Sequence, residues 1–130
     1  MLKFSFLTYV KIIKKGREIM RKTKIDTLMT FFNDEKKFIT DGYYRIRTIN
    51  ENTVELAFLV AGSCGETLVH PQITVSLTES PQAIGIKLID MYSTPPLFLH
   101  RNDHTAHEIY KALDHLIEKF SDKTKNTKTN

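Results

Sequence analysis

The sequence predicts an α+β domain, in which an antiparallel sheet of four to six strands packs one face against an N-terminal and a C-terminal helix, in the order α-β-β-β-β-β-α. Two patterns indicate it. Residues 43–60, YYRIRTINENTVELAFLV, alternate apolar and polar side chains on both sides of a turn, as paired strands do. Residues 109–120 carry apolar side chains at helical spacing directly after a capping box. One sheet with both helices on its apolar face buries the apolar side chains of both patterns.

The hairpin of residues 43–60 predicts its own register. We expect Asn50-Glu51-Asn52 to form the turn, with Asn52 in the left-handed backbone conformation that a three-residue loop needs. The paired residues on the inward face are then Tyr44 with Phe58, Ile46 with Leu56 and Thr48 with Val54. On the other face Arg47 lies opposite Glu55 as a favourable charge pair. A shift of one residue would exchange the two faces, so the register is well specified.

The remaining strands are predicted from shorter patterns. Residues 36–40 favour a short strand that turns at Asp41-Gly42, and residues 97–99 favour an edge strand after two prolines. Residues 67–70 either join the sheet or belong to a long functional loop. A second hairpin with a loop at residues 79–82 is expected to pair Ile73 with Leu88, Val75 with Ile86 and Leu77 with Ile84. That register leaves Gly85 on the outward face.

Each end of the domain carries a helical pattern. The first helix is predicted to begin at the cap Thr23 and to end at Asn33-Asp34, and its apolar stripe is Ile25, Leu28, Met29 and Phe32. The last helix begins at the capping box Thr105 to Glu108 and is predicted to end near Ser121. Residues 122–130 are polar, and we expect them to be disordered.

Composition predicts one soluble domain, residues 20–121. The chain has 130 residues, 41% of them hydrophobic, which is enough for a core without disulfides or metal. Its single cysteine, Cys64, excludes an intramolecular disulfide and suits the reducing cytoplasm. No apolar run approaches the roughly 18 residues of a membrane span.

The net charge of +4 lies entirely in residues 1–19, and the rest of the chain has 14 basic and 14 acidic residues. Codons for residues 15–20, KGREIM, can be written as a purine-rich ribosome-binding site followed by a start codon. We therefore expect translation to begin at Met20, which makes residues 1–19 a leader that the native protein lacks. The alternative is a basic amphipathic segment that lies on a membrane surface.

The outward face of the sheet is the predicted binding surface. The register that buries the inward pairs places Tyr43, Arg45, Arg47, Ala57 and Leu59 on this face together. An uncovered and partly apolar face of this kind is typical of an interface. The sequence therefore predicts a cytoplasmic adaptor or regulatory module that binds a protein partner or forms a homodimer, without catalysis and without a cofactor.

Nucleic acid is a less favoured partner for this face. Tyr43 alternates with Arg45 and Arg47, as in some sheets that stack single-stranded nucleic acid. Residues 20–130 have no net positive charge, however, and Glu55 already matches Arg47. The electrostatic footprint that phosphate binding requires is therefore missing.

A small enzyme is the alternative function. Cys64, His70, His104 and His107 could supply zinc ligands, although their spacing matches no preorganised zinc motif. Cys64 lies between glycines and could instead be a catalytic thiol with a histidine as its base. The alternative without a site is that His104 and His107 are exposed at the start of a helix. The glycines beside Cys64 would then only give a loop its backbone freedom.

Overall fold

A computed structural model describes residues 21–78 and 83–127, and it shows an α+β domain with a six-stranded antiparallel sheet. Neighbouring strands along the chain are neighbours in the sheet, in the order β1 to β6. The strands are β1 (Lys37–Ile39), β2 (Gly42–Asn50), β3 (Thr53–Ala61), β4 (Thr67–Ser76), β5 (Ile84–Asp90) and β6 (Leu97–His100). Helix α1 comprises residues 21–28, and helix α2 is Ala106–Thr127.

The predicted fold class is confirmed, with one strand more than the predicted element order. Residues 67–70 belong to the sheet and are continuous with the strand after them, so β4 runs unbroken from Thr67 to Ser76. The segment before β4 is consequently a tight hairpin loop rather than a long connection. Four predicted features lie outside the described residues: the leader 1–19, a start at Met20, the loop 79–82 and residues 128–130.

The register of the first hairpin is confirmed. The three inward pairs and the Arg47–Glu55 pair are all opposite each other in β2 and β3. The turn differs from the prediction, because Asn50 pairs with Thr53 and Ile49 forms a bulge. Asn50 Oδ1 accepts a hydrogen bond from Asn52 N at 2.8 Å, which closes the turn. Asn52 does not adopt the left-handed backbone, and Thr40 is the one non-glycine residue with positive φ in the described ranges.

The register of the second hairpin is wrong beyond its first pair. Ile73 lies opposite Leu88 as predicted, but a bulge between Thr74 and Val75 places Val75 opposite Gly85. The bulge reverses the predicted orientation of Gly85, which is buried on the inward face. The physical reason is helix α2: a side chain at this position would collide with Ile109, so only glycine lets the helix approach β5.

The core lies between the inward sheet face and the two helices. From α2 it includes the predicted stripe, which is Ile109, Leu113, Leu116, Ile117 and Phe120. Ile25 and Leu28 of α1 are buried in the same cluster. Phe32 follows α1 and packs its ring 5.0 Å from that of Phe120, which joins the two ends of the chain. The outward face is covered by neither helix.

The helix boundaries differ from the predictions at both ends. Residues 21 and 22 are already helical, so Thr23 lies inside α1 rather than capping it, and α1 ends at residue 28. Thr105 does precede α2, but its hydroxyl donates to His100 O and accepts from Asn102 N. The hydroxyl thereby fixes the loop before the helix. Helix α2 continues past Ser121 to Thr127, so residues 122–127 are helical rather than disordered.

The turn between β1 and β2 is tied to α2 through Asp41. Its carboxylate accepts a hydrogen bond from the Tyr44 hydroxyl at 2.8 Å and one from Lys119 Nζ at 3.0 Å, and Lys123 Nζ lies 3.6 Å away. Partial burial raises the pKa of Asp41, but these hydrogen bonds and the lysine charges together lower it below 3.8. Burial and the bond to Asp41 raise the pKa of Tyr44 above its ordinary value.

We predict that Gly85→Ala destabilises the protein by about 1–3 kcal/mol, because the new Cβ would lie 2.8 Å from Ile109 Cγ2 and the β-branched Ile109 cannot rotate away in a helix. The measurement is urea unfolding of the four proteins of a double-mutant cycle with Ile109→Ala. In the Ile109→Ala background, Gly85→Ala should cost nothing or stabilise slightly, since it then only removes backbone freedom. The same cost in both backgrounds would contradict this packing.

We also predict that Asp41→Asn lowers the melting temperature at pH 7 and that the difference from wild type shrinks as the pH falls. A carboxyl with a lowered pKa in the folded state stabilises the fold above its unfolded pKa of about 3.9, and this stabilisation disappears as the pH falls through the folded pKa. Asp26→Asn is the control, because the one ion pair of Asp26 within residues 21–78 and 83–127 is an exposed helical pair with Lys22. An equal difference at pH 7 and at about pH 3 would be inconsistent with the role of Asp41.

Candidate functional site

The outward face carries two neighbouring rows of residues that run across β2 to β6. The Arg45 row is Arg45, Ala57, Gln72, Ile89 and Phe98, each opposite the next across the sheet. The Arg47 row is Arg47, Glu55, Thr74, Lys87 and His100. Two residues along a strand separate the rows, so they lie about 7 Å apart. Three of the ten side chains are cationic and one is a carboxylate.

Arg45 bridges its own row. Its Nη2 donates a hydrogen bond of 2.9 Å to Gln72 Oε1, and the two side chains thereby reach across Ala57, which is fully buried. The Nε atom of Arg45 is buried and makes no hydrogen bond within the described part of the chain. Burial lowers the pKa of the Arg45 guanidinium, and the neighbouring charge of Arg47 lowers it further. The carboxylates of Glu55 and Asp34 act in the opposite direction, but the net effect is still a lowered pKa of Arg45.

The Arg47 row contains two further buried polar atoms without a hydrogen bond in the described ranges, Glu55 Oε1 and Thr74 Oγ1. Arg47 Nη1 lies 3.7 Å from Glu55 Oε1, which is close enough for charge attraction and too far for a good hydrogen bond. Only 8% of Thr74 is exposed. Because buried polar atoms normally have partners, three such atoms in adjacent positions on one face are unusual.

The predicted partner-binding residues all lie on the outward face, but not all of them are accessible. Ala57 is 0% and Leu59 4% exposed, so neither adds apolar surface as we expected. Tyr43 and Arg45 are half-buried, and the side chain of Arg47 is 45% exposed. The exposed apolar surface of this face instead comes from its two edge strands, through Phe38 on β1 and Phe98 on β6. Phe38 is 62% and Phe98 63% exposed.

A second site lies on the inward face, where α2 does not cover the sheet. A bulge in β4 sets His70 and Pro71 opposite Phe58 alone, and bulges of this kind redirect side chains. His70 Nδ1 lies 2.9 Å from both carboxylate oxygens of Asp90, the last residue of β5. Asp90 is 8% exposed, and its Oδ1 also accepts hydrogen bonds from the amides of Tyr92 and Ser93.

This arrangement fixes the histidine tautomer. An ionised carboxylate only accepts hydrogen bonds, so Nδ1 of His70 carries a proton, and in the neutral imidazole Nε2 then keeps its lone pair. Nε2 makes no hydrogen bond to any described residue, and 38% of the His70 side chain is exposed. A carboxylate that orients a histidine in this way makes its second nitrogen a hydrogen-bond or proton acceptor.

An open cleft of about 640 Å³ lies on the other side of Tyr92 from His70, and His70 is not among the described residues that line it. Its walls are the end of β3 at Ala61 with the β3–β4 loop, residues 62–66, and the β5–β6 segment, residues 91–96, with Leu68 between them. Tyr92 lines the cleft and also contacts His70, since their ring centroids are 4.9 Å apart. Glu66 is the one charged residue that lines it among the residues the structure describes.

The four predicted zinc or thiol residues do not form one site. Cys64 is exposed in the β3–β4 loop, and His70 lies three residues inside β4, about 10 Å along the strand. His104 and His107 are exposed around the start of α2, beyond the far end of β6 from Asp90. Among the described residues, no three His, Cys, Asp or Glu side chains are grouped as metal ligands.

Comparison with known proteins identifies no relative: no family model, no curated protein and no solved structure matches the chain. Neither helix in the described part of the chain has the length and apolar character needed to cross a membrane. The two sites on the sheet are therefore the features that indicate a function.

Proposed function

We propose that this protein is a binding module whose outward face binds an acidic segment of another protein. The observation that supports this proposal is the excess of positive charge in the two rows. Arg45, Arg47 and Lys87 face outward together, and Glu55 is the one carboxylate among them. Charge complementarity of this kind steers association and selects among partners.

Arg45 is the expected centre of the interface. Its guanidinium is partly buried next to Arg47, and its Nε donor has no acceptor in the described ranges. A carboxylate from a partner would supply both the acceptor and the opposite charge, and a carboxylate–guanidinium pair is among the stronger polar contacts. Arginine is also enriched among the residues that dominate binding energy at interfaces.

Apolar contacts would come from the edges of the face. The rings of Phe38 and Phe98 are largely exposed on opposite edge strands, and the Arg45 row ends at Phe98. Exposed aromatic rings beside arginines are typical of interfaces. The fitting partner is thus an acidic segment that carries apolar residues between its carboxylates.

Two other occupants fit the face less well. A nucleic acid would bring phosphates against Glu55, and residues 20–130 have no net positive charge to attract them. A homodimer built on this face would bring the same positive rows together across a two-fold axis, which like-charge repulsion opposes.

We place the module in the cytoplasm, because its cysteine Cys64 is free and exposed, as suits a reducing compartment.

We predict that Arg45→Gln/Lys87→Gln weakens binding of an acidic peptide by about tenfold or more. The double substitution removes the two cations of the rows that have no glutamate directly opposite them in the sheet. The probe is a fluorescein-labelled peptide with leucines between glutamates, measured by fluorescence anisotropy. Its reference is the same peptide with glutamine in place of every glutamate. Lys24→Gln/Lys111→Gln is the control, because it removes the same charge from exposed helical positions. Circular dichroism and thermal melting establish that each variant is folded.

Equal binding by both double variants, or equal binding of the glutamate and glutamine peptides, would contradict the proposal. Two further experimental results would overturn the proposal in favour of another partner. A single-stranded RNA probe that binds wild type better than the acidic peptide, and loses binding in Arg45→Gln/Lys87→Gln, would indicate a nucleic-acid module. A dimer in light scattering that this variant dissociates would indicate self-association through the same face.

A further inference from the structure

We propose that the cleft beside His70 is a binding site for a small organic amine with an apolar or aromatic body. The site lies on the inward side of the sheet, away from the Arg45 and Arg47 rows, so this proposal does not depend on the protein-binding face. Its evidence is a carboxylate–histidine pair, a cleft of suitable size and the charge of the cleft lining.

Asp90 preorganises the site. It holds His70 of β4 through Nδ1 and holds the β5–β6 segment through the amides of Tyr92 and Ser93. One buried carboxylate therefore fixes the acceptor and a wall of the cleft relative to each other. A turn at the end of β5 would explain the two hydrogen bonds from the amides to Asp90. It would not explain the bulge in β4, which turns His70 toward Asp90.

The lining of the cleft selects the charge of the ligand. Glu66 contributes a carboxylate, and neither lysine nor arginine is among the residues that line the cleft in the described ranges. Asp90 adds a second negative charge behind His70, and Nε2 of His70 faces no donor from the described residues. An ammonium group can donate to Glu66, whereas a carboxylate or phosphate would be repelled. His70 acts on the cleft through the Tyr92 ring that it contacts.

The same lining selects an apolar body. Leu68 and the exposed side chains of Met91 and Tyr92 provide the apolar surface, and the Tyr92 ring can additionally stabilise a cation over its face. The volume of about 640 Å³ lies within the range of small-molecule sites. A small arylalkylamine therefore matches the site in size, charge and polarity.

The test uses phenethylamine as the probe, with phenylethanol and phenylpropionate as neutral and anionic references, and follows binding by ¹H–¹⁵N chemical shifts of the full chain. We expect phenethylamine to shift the amides of residues 61–68 and 91–96 and to bind at least tenfold more tightly than either reference. Glu66→Gln and His70→Gln should each weaken this binding by about tenfold, while Glu118→Gln, an exposed carboxylate on α2, should leave it unchanged.

Asp90→Asn separates positioning from folding. If the variant melts like wild type, it should bind phenethylamine as weakly as His70→Gln; if it unfolds, Glu66→Gln and His70→Gln carry the test. Equal affinity for the amine and the carboxylate, shifts outside the cleft, or full binding by both Glu66→Gln and His70→Gln would overturn the proposal. Arg45→Gln/Lys87→Gln should keep amine binding, so failure of the protein-binding face and failure of this site are distinguishable.

Discussion

The structure depends on the pairing of β2 with β3. This register places Tyr44 and Ile46 of β2 on the same side as Leu56 and Phe58 of β3, and the inward row continues through Ile73. Because side chains alternate along a strand, the same register places the two arginines of β2 on the other side. A shift of one residue would drive both guanidinium groups into the core, at a cost that few domains could tolerate. The core and the charged face are two consequences of one constraint.

The parts of the fold that local patterns determine were predictable. The pairs of the first hairpin and the apolar stripe of α2 follow from alternation and helical spacing within short segments. The predicted register of the second hairpin is wrong for a non-local reason. Gly85 is turned inward so that Ile109 can pack against it, and Ile109 follows it by more than twenty residues, in α2. The alternation of β5 alone contains no signal of that bulge. The sequence does not mark the end of α2, because residues 122–127 have the polar composition of a tail although they continue the helix.

The candidate sites also contain features that local sequence patterns predict and features that they do not predict. Register predicted which residues face outward, but Ala57 is buried between Arg45 of β2 and Gln72 of β4, and the pattern of the first hairpin does not position β4. The pair of His70 and Asp90 could not be predicted, because the two residues come from different strands and meet only through a bulge. A histidine followed by proline in a strand rich in polar residues was the one local sign of irregular pairing there.

The central claim is our proposal that the outward face binds an anion of a partner at Arg45. The most direct measurement is the ¹H–¹⁵N signal of the arginine Nε–H groups during titration with the acidic peptide. Arg21 provides an internal reference, because its Nε already donates to Asp114 at 2.5 Å. The account predicts a large downfield shift of the Arg45 Nε–H proton, as a new charge-assisted hydrogen bond forms, and an unchanged Arg21 signal. An Arg45 signal that stays in place while the peptide binds would contradict it.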